Sequence, residues 1–391
     1  MFLRSSPHAR RRPLLLSRVA PRVRAFLAAT CGVACAIAAF SPAGQASTAP
    51  NYGSNSYVSS VLAQSGLSLP SSWQTAPPTT VDTTHSSALP GKLTSGADTS
   101  GPGTLNYELY VPSSYKAGSA MPLVVALHGC TQTADVHRQQ SGWDALAEAK
   151  GFIVVFPEQS TSRNNQSCWN WFQQANMQRG SGEPAMIAGL TTAIEQSHSI
   201  DRHRVYVAGF SAGAAMANVM AATYPDLYAA VGVGSGCEYN GLPCVGYQGP
   251  DPTQTGKQAY GAMGAHARVM PAIVFQGDAD NIVAPANAPL IVREWQVTDD
   301  YADNGSADGS IPTTPMRTSS GAASGGVASG GRSYTVTTYG DGHGHALIEY
   351  WVVHGMNHAW SGGSSSQQYS DPSGPNETAA MYAFFSSHPG P

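Results

Sequence analysis

The chain has 391 residues, 42% of them hydrophobic and 11% charged, enough apolar material for a sizeable core and too much for wholesale disorder. Its formal net charge is −4, yet residues 1–46 hold seven arginines and no acid; beyond them 13 basic residues face 24 acidic ones, a charge of −11. A mature chain that acidic is a poor binder of nucleic acid and of anionic membranes.

Residues 1–46 read as a signal peptide. A basic stretch containing Arg10-Arg11-Arg12 precedes an apolar run from Phe26 to Phe40, too short for a comfortable membrane span. Gly44-Gln45-Ala46 then supplies small residues for cleavage, with an uncleaved anchor as the alternative. The expectation is a secreted protein, extracellular or periplasmic, with no stable membrane association after cleavage. Four cysteines lie beyond the leader: Cys130, Cys168, Cys237 and Cys244. An even number in an exported chain points to disulfides. Three pairings exist; Cys237–Cys244, which is local, and Cys130–Cys168 are the expected ones. No C-x-x-C spacing occurs among them, so a zinc site is not expected.

Residues 47–103 are rich in Ser, Thr, Pro and Gly and read as an arm or linker, with a short helix near Tyr57–Gln64. From Leu105 the texture changes. Strands are predicted over Asn106–Val111, Leu123–Leu127, Ile153–Phe156, Val205–Ala208, Ala230–Gly234, Ala272–Phe275 and Ile348–Val353. Helices are predicted near Gly142–Ala149, Pro184–Gln196, Ala212–Tyr224, Ala286–Gln296 and Thr378–Ser386. Runs such as Leu123-Val124-Val125-Ala126-Leu127 are apolar throughout, as strands covered on both faces must be. The fold class is therefore α/β, a mostly parallel sheet flanked by helices on both faces, spanning residues 104–391. A second low-complexity stretch near 304–332 cannot build a core and reads as an inserted surface loop.

Gly209-Phe210-Ser211-Ala212-Gly213 matches G-x-S-x-G. The pentad follows the strand-like Val205-Tyr206-Val207-Ala208 and opens a small-residue helix that Pro225 stops, the setting a nucleophile elbow requires. Ser211 is thus the candidate nucleophile. His128-Gly129-Cys130 ends an apolar strand, where an H-G-x turn can supply an oxyanion donor. The backbone N–H groups of Cys130 and Ala212 are the candidate oxyanion hole, each able to contribute roughly 3–4 kcal/mol in the transition state. His128 reads as structural, and a Cys130–Cys168 bridge would hold that turn rigid.

A serine hydroxyl needs a base, and the base an orienting carboxylate, in the chain order Ser, acid, His. The strand Ala272–Phe275 ends in Gln276-Gly277-Asp278-Ala279-Asp280-Asn281-Ile282-Val283. Asp280 is preferred over Asp278 because the apolar Ile282-Val283 returns the loop to the core directly after it. His358, in a loop after a late strand, is the preferred base; His354 at the strand end is its nearest rival, and His343 and His345 read as solvated. Trp169, Trp171 and Phe172 could form an apolar platform for substrate, and Trp360 could line the cleft; core packing is the alternative for all four.

Together these stretches resemble the poly(3-hydroxybutyrate) depolymerase family of secreted esterases, akin to the feruloyl and acetylxylan esterases of carbohydrate esterase family 1. The likeness runs from Leu105 to the C-terminus. It rests on His128-Gly129-Cys130-Thr131-Gln132, Cys168-Trp169-Asn170-Trp171-Phe172, Arg179-Gly180-Ser181-Gly182-Glu183-Pro184, the serine pentad, and His358-Ala359-Trp360-Ser361-Gly362-Gly363. The resemblance implies an α/β-hydrolase fold, a Ser211–His358–Asp280 triad, and ester substrates handled without metal or organic cofactor. Many similar depolymerases append a polymer-binding domain; this chain ends 33 residues beyond His358, so attack on crystalline granules is not expected, and poly(3-hydroxybutyrate) or hydroxyalkanoate oligomers are the expected substrate, with feruloyl or acetyl groups on plant polysaccharide as the alternative. A non-catalytic binding protein is the least favoured reading, since every triad position is filled.

Overall fold

The computed structural model describes residues 89–323 and 330–391; the expected signal peptide, residues 1–46, and residues 47–88 of the expected arm, with its helix near Tyr57–Gln64, lie outside them. Ten strands form one sheet in the order β1-β2-β4-β3-β5-β6-β7-β10-β9-β8. Its centre is β4 (Ile153–Glu158), β3 (Met121–Leu127), β5 (Ile200–Phe210), β6 (Ala230–Gly234), β7 (Ala272–Gly277) and β10 (Ala346–Val353), parallel throughout. Antiparallel strands close both sides: β2 (Leu105–Val111) with β1 (Lys92–Asp98), and β9 (Ser333–Gly340) with β8 (Arg317–Ala322).

The central strands are apolar on both faces because both are covered. Leu123, Val125 and Leu127 face one layer of core and Val124 and Ala126 the other. The first layer is packed by α3 (Gly182–Ser197), α4 (Ala212–Thr223), α5 (Pro252–Met263) and α6 (Asn287–Asn304). Behind the sheet lie α1 (Ala134–Ser141), α2 (Trp143–Lys150) and α7 (Glu377–Ser386). This is the α/β-hydrolase arrangement expected from the sequence. No helix among the described residues is long and apolar enough to cross a membrane.

Two boundaries need correction. The arm was expected to run to residue 103, but Lys92–Asp98 pairs along its full length with β2. An edge strand is held by its ladder on one side only and needs no continuous apolar run, so its composition is that of a linker. The stretch near 304–332, expected to be a loop, contains the exposed edge strand β8. Its first part is tied down as well: the Asp300 carboxylate accepts from the amides of Gly309 and Ile311, and Ile311 is buried. Strand β9, not predicted, does alternate, burying Val336, Thr338 and Gly340. Helices α1 and α5, also not predicted, are short of apolar residues but carry clear start signals: Thr133 accepts from the Val136 amide, and Asp251 caps a helix with Pro252 at its first turn.

Both expected disulfides are present, Cys130–Cys168 and Cys237–Cys244. Such bonds persist in oxidising compartments.

Candidate active site

The chain leaves the C-terminal ends of four parallel strands at the same edge of the sheet. β3 runs into His128, β5 into Ser211, β7 into the Asp280 loop and β10 into the His358 loop. Crevices beyond these strand ends are where open α/β sheets hold ligands.

Ser211 bridges β5 and α4 at φ 56°, ψ −119°, a backbone conformation that side chains rarely adopt. The turn is tight enough to explain both glycines of the pentad. A Cβ on Gly209 would overlap the Gly213 carbonyl, and one on Gly213 would overlap the carbonyls of Leu127 and His128. The turn is held by the Ser211 amide donating to Gly234 O at 2.8 Å and the Ala215 amide donating to Ser211 O at 3.0 Å.

The His128-Gly129-Cys130 turn lies directly against it: a Cβ on Gly129 would stand 3.3 Å from Ser211 Cβ and 2.9 Å from the Phe210 ring. His128 is structural. Its Nδ1 donates to Gly129 O at 2.7 Å and its Nε2 accepts from the Gln159 amide at 2.9 Å. Complete burial pushes its pKa down to about 4, so the ring is neutral near pH 7, with the proton on Nδ1. Neither the Cys130 nor the Ala212 amide has an acceptor among the described residues.

Asp280 and His358 form a buried pair, Nδ1 to Oδ2 at 2.8 Å. Asp280 Oδ2 also accepts from Gln276 Nε2 at 2.9 Å, and Oδ1 from the amides of Ile282 (2.9 Å) and Val283 (3.0 Å). A buried carboxylate held by four donors has a fixed orientation. The rivals pair with each other: Asp278 Oδ2 meets His354 Nδ1 at 2.8 Å near the surface. Burial works to raise the Asp278 carboxyl, but the bonds from His354 and the Gly355 amide hold it below the usual carboxylate range.

Ser211, His358, Cys130, Thr131, Phe210, Ile282 and Tyr369 line one small cleft with about 230 Å³ of empty space. Ser211 and His358 are only 3% and 5% exposed, so both open to little besides this cleft.

Of the two readings of the aromatic residues, the burial favours core packing. Trp169, Trp171 and Trp360 are buried and present no face to solvent. Trp169 Nε1 donates to His128 O at 3.1 Å, so this ring supports the turn from within the core. Trp360 packs edge-on against His137 and Phe210 and donates to Thr378 Oγ1. Phe172 is half-buried, packs edge-on against Trp171, and does not line the cleft. The Arg179–Pro184 motif is structural too: buried Glu183 accepts from the Asn170 amide at 2.7 Å and from Gln159 Nε2, and Arg179 pairs with Asp226. The rings that do face the site, Phe210 and Tyr369, lie 4.8 and 5.9 Å from the His358 ring. Phe210 was legible as the second residue of the pentad. Tyr369 was not: it follows a polar run and sits at φ 55° in a turn.

The sequence profile of the family described as "Esterase PHB depolymerase" matches residues 105–313, just over half of the chain. The chain belongs to this family. Among relatives, poly(3-hydroxyalkanoate) depolymerase C of Paucimonas lemoignei is 40% identical over 204 residues, 50% of this chain and 48% of that one. Probable acetylxylan esterase A of Aspergillus flavus is 30% identical over 259 residues, 61% of this chain and 82% of that one. The solved acetyl xylan esterase from Aspergillus awamori superposes with a TM-score of 0.57 at 26% identity, covering 68% of this chain and 94% of that chain. The chain thus spans about half the length of the bacterial depolymerase and most of the length of the fungal esterases. Family membership and the buried aromatic frame agree, since the motifs that carry the likeness divide between the cleft and the packing beneath it.

Proposed function

We propose that this chain is a secreted serine esterase that cleaves hydroxyalkanoate oligomers through an acyl-enzyme. The observation that carries the reading is the convergence in one cleft of a strained Ser211, a His358 fixed by buried Asp280, and the Cys130 turn, with the Ala212 amide next in the chain to Ser211. Because His358 Nδ1–H is committed to Asp280, the Nε2 lone pair is left as the base. It takes the Ser211 proton as the hydroxyl oxygen attacks the ester carbonyl. The Cys130 and Ala212 amides receive the developing oxyanion. The imidazolium then protonates the leaving alcohol, and water, activated in the same way, releases the acid and restores the serine.

The size and polarity of the cleft favour a short acyl group. Seven residues close around it, which leaves room for a short acyl group and not for a long one. Its walls of Phe210, Ile282, Thr131 and Tyr369 suit a short apolar acyl chain. The Paucimonas relative supports the same choice. Acetyl groups on xylan are the second reading, supported by the Aspergillus relatives and by the same small acyl space. The disulfides and the leader support export.

The test is one side-by-side assay of purified mature protein and Ser211→Ala on hydroxybutyrate oligomers, polyhydroxybutyrate film, acetylated xylan and feruloylated arabinoxylan. Ser211-dependent turnover fastest on the oligomers is expected. Faster release of acetate from xylan would overturn the substrate assignment, and full activity in Ser211→Ala would overturn the mechanism.

A further inference from the structure

The Asp278–His354 pair lies outside the cleft, yet it joins the two loops that supply it. Asp278 precedes Asp280 by two residues, and His354 precedes His358 by four. Asp278 Oδ2 accepts from His354 Nδ1 at 2.8 Å and Oδ1 from the Gly355 amide at 2.6 Å. Main-chain bonds run alongside: the Asp278 amide donates to Val353 O at 3.2 Å and the Ala279 amide to Met356 O at 3.1 Å. A Cβ on Gly277 would overlap Met356 O, so the two loops touch there without intervening side chains. On its other side His354 Nε2 lies 3.0 Å from Thr335 Oγ1 of β9.

Hydroxyl, imidazole and carboxylate thus form a relay that looks like a second reactive triad. Its surroundings are not built for reaction. The Gly355 amide is spent on Asp278 and the His354 amide on Ser333 O at 2.9 Å, so neither can serve an oxyanion. The two side chains are 42% and 41% exposed, a setting in which an ion pair contributes little to global stability. What such a bridge can do is fix the relative position of the two loops.

We propose that Asp278 and His354 are positioning residues of the hydrolytic site, clamping the Asp280 loop to the His358 loop so that the inner pair keeps its geometry while the imidazole gains and loses a proton. The inference rests on the roles given above to Ser211, His358 and Asp280. The outer pair repeats the chemistry of the inner one and borrows a third strand, β9, as its anchor.

The experiment uses mature wild-type protein, Asp278→Ala, His354→Ala, their double variant, and Asp278→Asn, which keeps a carbonyl acceptor. Each is assayed for kcat and KM on p-nitrophenyl acetate, for Tm, and for labelling of Ser211 by a fluorophosphonate. Small misplacements of catalytic groups cost up to about 100-fold in rate. The clamp therefore predicts kcat lower by roughly 10- to 100-fold in each Ala variant, with KM within about twofold and Tm little changed. The double variant should lose no more than the worse single one, and Asp278→Asn should recover most of the rate. Losses under about threefold in both Ala variants, or kcat losses that simply follow Tm, would overturn the clamp. A wild-type enzyme that turns over ester without labelling at Ser211 would overturn the underlying triad instead, whatever the variants do.

Discussion

His358 Nδ1 stands 2.8 Å from Asp280 Oδ2, although 78 residues separate them in the chain. The contact is buried on both sides, and three further donors, Gln276 Nε2 and the amides of Ile282 and Val283, complete the shell of the carboxylate. An Asn at position 280 would keep the shape but could present an amide N–H to the imidazole and hold the wrong tautomer. Asp280→Asn is expected to lower kcat by about 10⁴-fold with a near-normal Tm. Steady-state kinetics on a soluble ester beside a thermal melt checks both, and retention of more than a tenth of the rate would remove Asp280 from the mechanism.

The two disulfides should separate in their effects. Cys130–Cys168 closes a 38-residue separation and anchors the turn that faces Ser211; Cys237–Cys244 closes one of seven. Loop-closure entropy puts their contributions at about 4 and about 2 kcal/mol. Replacing the first pair by serine should lower both stability and kcat, because the oxyanion turn loosens. Replacing the second should cost less of each. Equal kcat in the two double-serine variants would show that the turn needs no such brace.

Substitutions at the aromatic residues should sort by location. Trp171→Ala empties a fully buried site and is expected to cost about 3–5 kcal/mol, with equal proportional losses on polymer film and on a small soluble ester. Tyr369→Ala, at the cleft wall, should leave Tm closer to wild type and change the ratio of rates between the two substrates. A selective loss on polymer in Trp171→Ala would contradict this division.

Beneath the elbow lies Glu377. Its Oε2 accepts the Ser361 amide at 2.9 Å, while Oε1 has no partner among the described residues. Burial pushes its pKa up to about 8. The folded state therefore holds a proton that the unfolded chain releases near 4.5, and stability is lost as pH rises from about 4.5 through 8. Glu377→Gln keeps the acceptor without the titration. Its Tm should be close to wild type at pH 4.5 and several degrees higher at pH 8. Comparison at equal pH cancels the other buried acids. A gap that does not widen with pH would refute the assignment.

Much of this protein can be read from local order. Apolar runs such as Leu123–Leu127 are long enough to declare strands buried on both sides, and the Gly209–Gly213 pentad fits between strand and helix only as a tight elbow. The edge strands β1 and β8 escaped because hydrogen bonding to one neighbour needs no apolar pattern. Asp280 was separable from Asp278 because Ile282 and Val283 return to the core beside it, and their amides do cap its carboxylate.

The linear order of residues was enough to declare the fold class and to nominate the three side chains of the candidate triad, because each is marked by its immediate neighbours; of three possible disulfide pairings it only favoured the one the structure shows. It could not say which aromatic rings meet the substrate. Trp169, Trp171 and Trp360 look like a platform in one dimension, but packing density turns them inward, and the cleft is walled instead by Phe210, Ile282 and Tyr369. Nor could it join Asp278 to His354, since a contact across 76 residues exists only once two parallel strands have set their ends side by side.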